Sequence, residues 1–151
     1  YKRLTPGIEA PVLASWTIGD MNSLIRIPSY RPGREDSVRI EYRLPDSATN
    51  PYLTFSIILA AGLKGIEEKY ELPKPITKNL SDMSTKDLNK FGIKFLPRTL
   101  SEAILLAEES EIVSQCLGKP LKDIFIENKK IEWEDFSSSV TDYEKNKYLF
   151  L

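Results

Sequence analysis

The chain contains no histidine and a single cysteine, Cys116, among its 151 residues. Without imidazole there is no Ser-His-Asp or Cys-His nucleophile, no histidine general base, and no zinc site that needs a histidine ligand. A lone thiol cannot close an intrachain disulfide, which fits a reducing compartment. Neither sign of charge is in excess: 21 Lys and Arg against 22 Asp and Glu give a formal net charge of -1. Nucleic-acid binders usually carry a basic surplus on one face, so no nucleic-acid partner is expected. Long apolar runs are missing too. The stretch Ile57-Ile-Leu-Ala-Ala61 is far shorter than the roughly 18 residues of a membrane-spanning helix, so no membrane partner is expected either. The opening Tyr1-Lys-Arg-Leu4 leads into Pro6-Gly7 instead of an apolar core, which argues against a signal peptide. A soluble chain is expected, and its start on Tyr1 reads as a processed or truncated piece of something longer. Whatever chemistry it serves must use carboxylates, arginine, lysine, backbone amides or bound ions.

What is present falls into strands first and helices after, an α+β order, with the length of about one domain. Val12–Thr17 and Leu24–Ile27 read as strands between proline and glycine punctuation. Val38–Leu44 alternates strictly, so Val38, Ile40, Tyr42 and Leu44 are expected on a core while Arg39, Glu41 and Arg43 share the other face. Asn50 followed by Pro51 is a helix start, and Tyr52, Phe55, Leu59, Leu63 and Ile66 recur at helical spacing. A buried helix from about Pro51 to Lys69 is predicted, with Pro73, Pro75 and Asn79 marking a loop. Thr99-Leu-Ser-Glu102 is a capping-box pattern opening a helix that ends near Gly118. Ser139-Val-Thr-Asp142 opens a last helix through Tyr148.

The row Arg39, Glu41, Arg43 is the most pointed feature. By itself such a row is most simply an exposed, salt-bridged strand face. The functional alternative is a carboxylate ligand for a hard cation, flanked by guanidinium forks that hold carboxylate or phosphate. Arg26 lies on a neighbouring strand, and Arg3 and Glu9 flank the Pro6-Gly7 turn. Other features read more plainly. Cys116 is a small core residue, and Gly62 and Gly65 allow close helix packing. Glu127–Glu134 is a solvated surface, and Trp16, Trp133 and the tyrosines are packing residues.

Several ordered motifs resemble the glutamine synthetase family. Tyr1-Lys-Arg-Leu-Thr-Pro-Gly-Ile-Glu-Ala-Pro11 is similar to its segment YKRL-x-PG-x-EAP. The likeness continues through Ser23-Leu-Ile-Arg-Ile-Pro28, Arg39-Ile-Glu-Tyr-Arg43 with Pro45-Asp46, Asn50-Pro-Tyr-Leu53 and Ile58-Leu-Ala-Ala-Gly-Leu-Lys-Gly-Ile66. Weaker similarity extends through Leu96-Pro97, Leu100-Ser-Glu-Ala103 and Val140-Thr-x-x-Glu144, covering essentially the whole chain.

The resemblance implies that residues 1–151 are the C-terminal portion of a glutamine synthetase catalytic domain, contributing short antiparallel strands followed by packing helices. It implies a cytoplasmic, ATP-dependent ligase that phosphorylates glutamate and lets ammonia displace the phosphate, with Mg²⁺ or Mn²⁺ and a ring-shaped homo-oligomer. Carried over by motif, Arg3 and Arg43 would bind glutamate, and Glu9 would sit in a flap that helps ammonia lose a proton. Arg26 and Arg39 would hold ATP phosphates, and Glu41 would be a metal ligand. The N-terminal domain and the remaining metal ligands would lie upstream, so the piece alone is expected to be inactive. Two departures stand out. Met21 replaces an arginine of the family pattern NRSALIRIP, which keeps open a relative that uses another amine. Ser81 stands where some bacterial members carry an adenylylated tyrosine, so that modification is not expected. A non-catalytic protein that retains the fold is the rival of a different class.

Overall fold

The computed structural model describes residues 3–5, 10–19, 23–76 and 83–149. The chain divides into two compact units, Tyr1–Thr99 and Leu100–Leu151.

The first unit holds a three-stranded sheet in the order β1 (Trp16–Ile18), β2 (Ile25–Ile27) and β3 (Glu41–Tyr42). β2 and β3 pair antiparallel, as expected, but β1 and β2 run parallel. Alternation defines the faces of a strand, not the direction of its neighbour. Here Gly19, at φ 87°, turns the chain away from β1 while its N–H donates to the Ile27 carbonyl at 3.1 Å. Thr17 and Ser23 are wholly buried, and the Thr17 hydroxyl donates to the Ser23 hydroxyl at 2.9 Å, so neither polar group is orphaned.

Leu13 does not extend β1. It forms an isolated antiparallel bridge to Phe95, flanked by backbone bonds from Ala14 to Lys94 and from Leu96 to Val12. Leu13 and Leu88 form the core of this unit, with Val12, Ile76, Met83 and Ile93 packed around them. Leu88 belongs to α2 (Thr85–Lys90), a short helix the sequence reading missed although Ser84-x-x-Asp87 spells the same capping box used elsewhere. The Ser84 hydroxyl accepts from the Asp87 N–H at 3.2 Å, and the Asp87 carboxylate accepts from the Ser84 N–H at 3.1 Å.

Helix α1 (Pro51–Glu67) starts where expected. The Asn50 side chain accepts from the N–H groups of Tyr52 and Leu53, with Pro51 in the first turn. The expectation that it is buried fails. Tyr52, Phe55, Leu59, Leu63 and Ile66 are all exposed, Leu59 by 63%, and α1 contains no buried residue. Val38, Ile40 and Tyr42, expected in a core, are exposed too. Periodicity aligned these side chains correctly, but no described residue covers the faces they form. The tyrosines fare likewise: Tyr30, Tyr42, Tyr52, Tyr70, Tyr143 and Tyr148 are exposed. Gly62 has nothing within 4 Å of where a Cβ would sit, so the expected close packing is not seen there.

The second unit is helical: α3 (Leu100–Glu109), α4 (Glu111–Ser138) and α5 (Asp142–Tyr148). The helix expected to run unbroken to Gly118 stops at Ser110, whose hydroxyl accepts from the Val113 N–H and opens α4. Gly118 does interrupt the helix, with φ 68° and ψ 159°, but helical backbone resumes at once through Pro120. Proline suits a first turn, where its missing N–H costs nothing. Among the described residues, Ile104 and Ile126 are the buried apolar ones here, and Cys116 is half-buried. Lys122 holds the turn between helices, donating to the Glu108 carbonyl at 2.5 Å and the Ser114 hydroxyl at 2.7 Å. Glu127–Glu134 is largely exposed helix, with ion pairs Lys129–Glu132 and Lys130–Glu108. The cap of α5 is Thr141, in a box with Glu144, and not Ser139.

Candidate functional site

The strand register of the first unit sets Arg26 directly opposite Glu41. Their side chains meet, Nη1 of Arg26 donating to Oε2 of Glu41 at 2.9 Å. Arg39 approaches the other oxygen, with Nη2 and Nε at 2.7 and 3.1 Å from Oε1. One carboxylate thus accepts from two guanidinium groups, one on each oxygen. The arginines are themselves anchored: Nε of Arg26 donates to the Gly19 carbonyl at 3.2 Å, and Nη1 of Arg39 to the Ser37 carbonyl at 3.3 Å. Ser37 closes the 3₁₀ turn Glu35–Ser37. The anchoring carbonyls were not anticipated. Gly19, placed immediately after the Trp16–Ile18 strand, was the signal available.

Hydrogen bonding to Arg39 is the largest influence on the Glu41 carboxyl and holds its pKa below the usual 4.5. Partial removal from water opposes this, and Arg26 adds to the lowering. The carboxylate is ionised at neutral pH.

The other expected residues sit nearby along the chain. Arg43 donates its backbone N–H to the Leu24 carbonyl at 2.9 Å, extending the β2–β3 pairing. Its own carbonyl accepts from Nη2 of Arg3 at 3.1 Å, and the same nitrogen reaches the Leu44 carbonyl at 2.7 Å. Arg3 therefore ties the N-terminal segment to the end of the charged strand. Of the expected Val38–Leu44 strand only Glu41–Tyr42 forms, so Arg39 reaches Glu41 from outside β3, and Arg26 joins them from β2. Glu9 lies outside the described residues, as do Met21 and Ser81.

Whether this cluster can hold a metal depends on its donors. Among the described residues no group of three or more His, Cys, Asp or Glu is placed to bind an ion. Glu41 offers a single carboxylate, and both its oxygens are already bonded to arginine. A hard divalent cation needs about six oxygen ligands, so these residues do not form its site unaided. The second unit offers a shallow pocket of about 330 Å³ lined by Glu108, Lys122, Asp123, Ile126, Glu127 and Lys130. Lys122 is committed to helix-turn groups and Lys130 to Glu108, which raises the Lys130 pKa above 10.5. No helix among the described residues is long and apolar enough to cross a membrane.

Comparison with known proteins bears on the same region. The family model described as "Glutamine synthetase, catalytic domain" matches residues 1–148. Glutamine synthetase of Mycobacterium tuberculosis H37Rv is 44% identical over 151 residues, covering 100% of this chain and 34% of that protein. That of Methanocaldococcus jannaschii is 42% identical over 149 residues, covering 99% and 32%. The chain therefore spans about a third of the length of these relatives. Among solved structures, apo GmaS without ligand superposes with a TM-score of 0.70 and 30% identity over 93% of this chain and 30% of that one. The cryo-EM structure of Plasmodium falciparum glutamine synthetase gives 0.74 with 19% identity, over 97% and 36%, a likeness of fold. A catalytic-domain match over nearly every residue, on an α+β chain whose charged β2–β3 strands carry the family's motifs, makes this chain a member of the glutamine synthetase family.

Proposed function

We propose that residues 1–151 form the C-terminal portion of a glutamine synthetase catalytic domain, serving ATP-dependent ligation of ammonia to the side-chain carboxylate of glutamate. The observation that carries this is the family match over residues 1–148, with Arg26, Arg39 and Glu41 converging on one point of the sheet. In this reading glutamate is activated as an acyl-phosphate, Arg3 and Arg43 bind the substrate, and Glu9 assists loss of the ammonium proton. Arg26 and Arg39 hold phosphate oxygens, because guanidinium forks match them and hold the transferring group in line. Glu41 contributes one carboxylate to a Mg²⁺ or Mn²⁺ site completed by residues from outside this chain. The complete protein works as a ring-shaped homo-oligomer in the cytoplasm, and the 151 residues alone form no glutamine.

A chimera tests the proposal. This segment replaces the corresponding last third of the Mycobacterium tuberculosis enzyme, and glutamine formation and Mn²⁺ affinity are measured. The chimera should turn over. Glu41→Gln within it, which keeps the size and removes the charge, should weaken metal binding and cost on the order of 100-fold in rate. A folded, assembled chimera that forms no glutamine, or one indifferent to Glu41→Gln, would overturn the assignment.

A further inference from the structure

Helix α1 is apolar nearly all round. Its only charged residues are Lys64 and Glu67, and Lys64 pairs with Glu68 at 3.7 Å. One side of the helix, with Leu53, Ile57, Ile58 and Ala60, is half-buried. The other, from Tyr52 through Phe55, Leu59 and Leu63 to Ile66, is open, Tyr52 by 83% and Ile66 by 75%. Gly62 is exposed between Leu59 and Ile66, with nothing within 4 Å of a Cβ position, so another backbone has room to come close. A helix apolar on every side belongs to the interior of a larger body. The areas agree. Two compact bodies the size of Tyr1–Thr99 and Leu100–Leu151 that never touched would together expose about 9,300 Å². This chain exposes 11564 Å², a surplus of about 2,300 Å² over that limit.

We propose that the open face of α1 docks the first two-thirds of a glutamine synthetase chain through apolar contact centred on Leu59, and that packing holds the two pieces together without a covalent link. This rests on the reading of residues 1–151 as a C-terminal portion and adds to it the surface where the pieces meet. The size of the surplus selects the occupant. A second copy of this chain in a standard dimer would cover about 800 Å² on each partner and leave most of the surplus bare. The relatives carry about twice this chain's length outside the matched region, enough polypeptide to cover it. Interfaces of about 2,000 Å² and more are the large, apolar kind, like a domain core cut in two.

The test has two arms. In the first, the tagged 151-residue chain is co-expressed with the first two-thirds of the Mycobacterium tuberculosis enzyme, and co-purification is measured. Wild type should retain the upstream piece. Leu59→Glu, which would bury an unpaired charge in the contact, should retain at least about tenfold less. Glu41→Gln should retain as much as wild type. Circular dichroism of the free chains establishes that both variants are folded. In the second arm, Leu59→Cys is placed in the free chain and in the chimera, and thiol labelling is followed peptide by peptide so that Cys116 is read separately. Position 59 should label at least about tenfold more slowly in the chimera. Equal labelling, or a soluble upstream piece that wild type does not retain, would overturn the proposal. So would slow labelling of a free chain that runs as a dimer, since the occupant would then be a second copy. Where the upstream piece is insoluble, labelling decides. Docking without glutamine formation would fail the ligase reading alone, and equal labelling in an active chimera would fail this proposal alone.

Discussion

Helix α1 and the α3–α4 pair answer the same sequence signals with different burial, none in α1 and one residue in each of α3 and α4. Both begin on a side-chain cap, Asn50 in one case and Ser110 for α4 in the other, and both carry apolar residues at helical spacing. In the second unit those residues bury Ile104 and Ile126. In the first unit the whole stripe from Tyr52 to Ile66 faces outward. Periodicity decides which side chains stand together. Whether they are buried depends on a partner surface, and α1 finds none among the described residues.

The contrast can be broken from either side. The largest effect is expected from Ile104→Ala, which deletes buried methyl groups and should cost roughly 2–4 kcal/mol in urea unfolding followed by circular dichroism. A loss below about 1 kcal/mol would mean that the second unit is as loosely packed as the surface of α1. Gly118→Ala comes next. With φ 68° and ψ 159° its backbone lies in a region nearly confined to glycine, and an added Cβ would meet no neighbouring atom. The cost is therefore backbone strain alone, about 1–3 kcal/mol, read as a lower midpoint in the same unfolding curve.

Leu59→Ser on α1 should change the unfolding free energy by less than about 0.5 kcal/mol, because that side chain is already wet. It should, however, reduce binding of a hydrophobic dye and any self-association seen by light scattering, since it interrupts an exposed apolar patch. A stability loss like that of Ile104→Ala would show that the stripe is covered after all. The smallest effect concerns acid. The folded-state pKa of Glu41 is depressed, so its contribution to stability is complete above the unfolded value near 4.5 and fades as pH falls through the lower folded value. Comparing the acid limb of wild type and Glu41→Gln should show a slightly flatter curve for the variant below pH 4.5, and identical limbs would mean the ion pairs are fully screened.

Much of the local structure could be read along the chain. Asn50-Pro51 started α1 and β2 lay where its pattern put it, while the last helix opened at Thr141 instead of Ser139. The local errors were also local in cause. Ser84-x-x-Asp87 was overlooked, and the apolar spacing across Ser110 hid a cap inside what looked like one helix. At the site, Arg39 stands two residues before Glu41 and bonds its carboxylate, although the strand covers only Glu41–Tyr42. Arg26 came to the same carboxylate only through strand register, which follows from hydrogen bonding between segments and not from the order of residues.

By itself, then, the sequence determined the residue types available for chemistry, the helix starts and the family, because composition, caps and motifs are properties of neighbours along the chain. Tertiary structure decided that β1 and β2 run parallel, that both oxygens of Glu41 are taken by Arg26 and Arg39, and that the stripe of α1 stays exposed. Strand direction, ion pairing across a sheet and burial each require a second segment to arrive from elsewhere, and no periodicity within one segment can say whether it does.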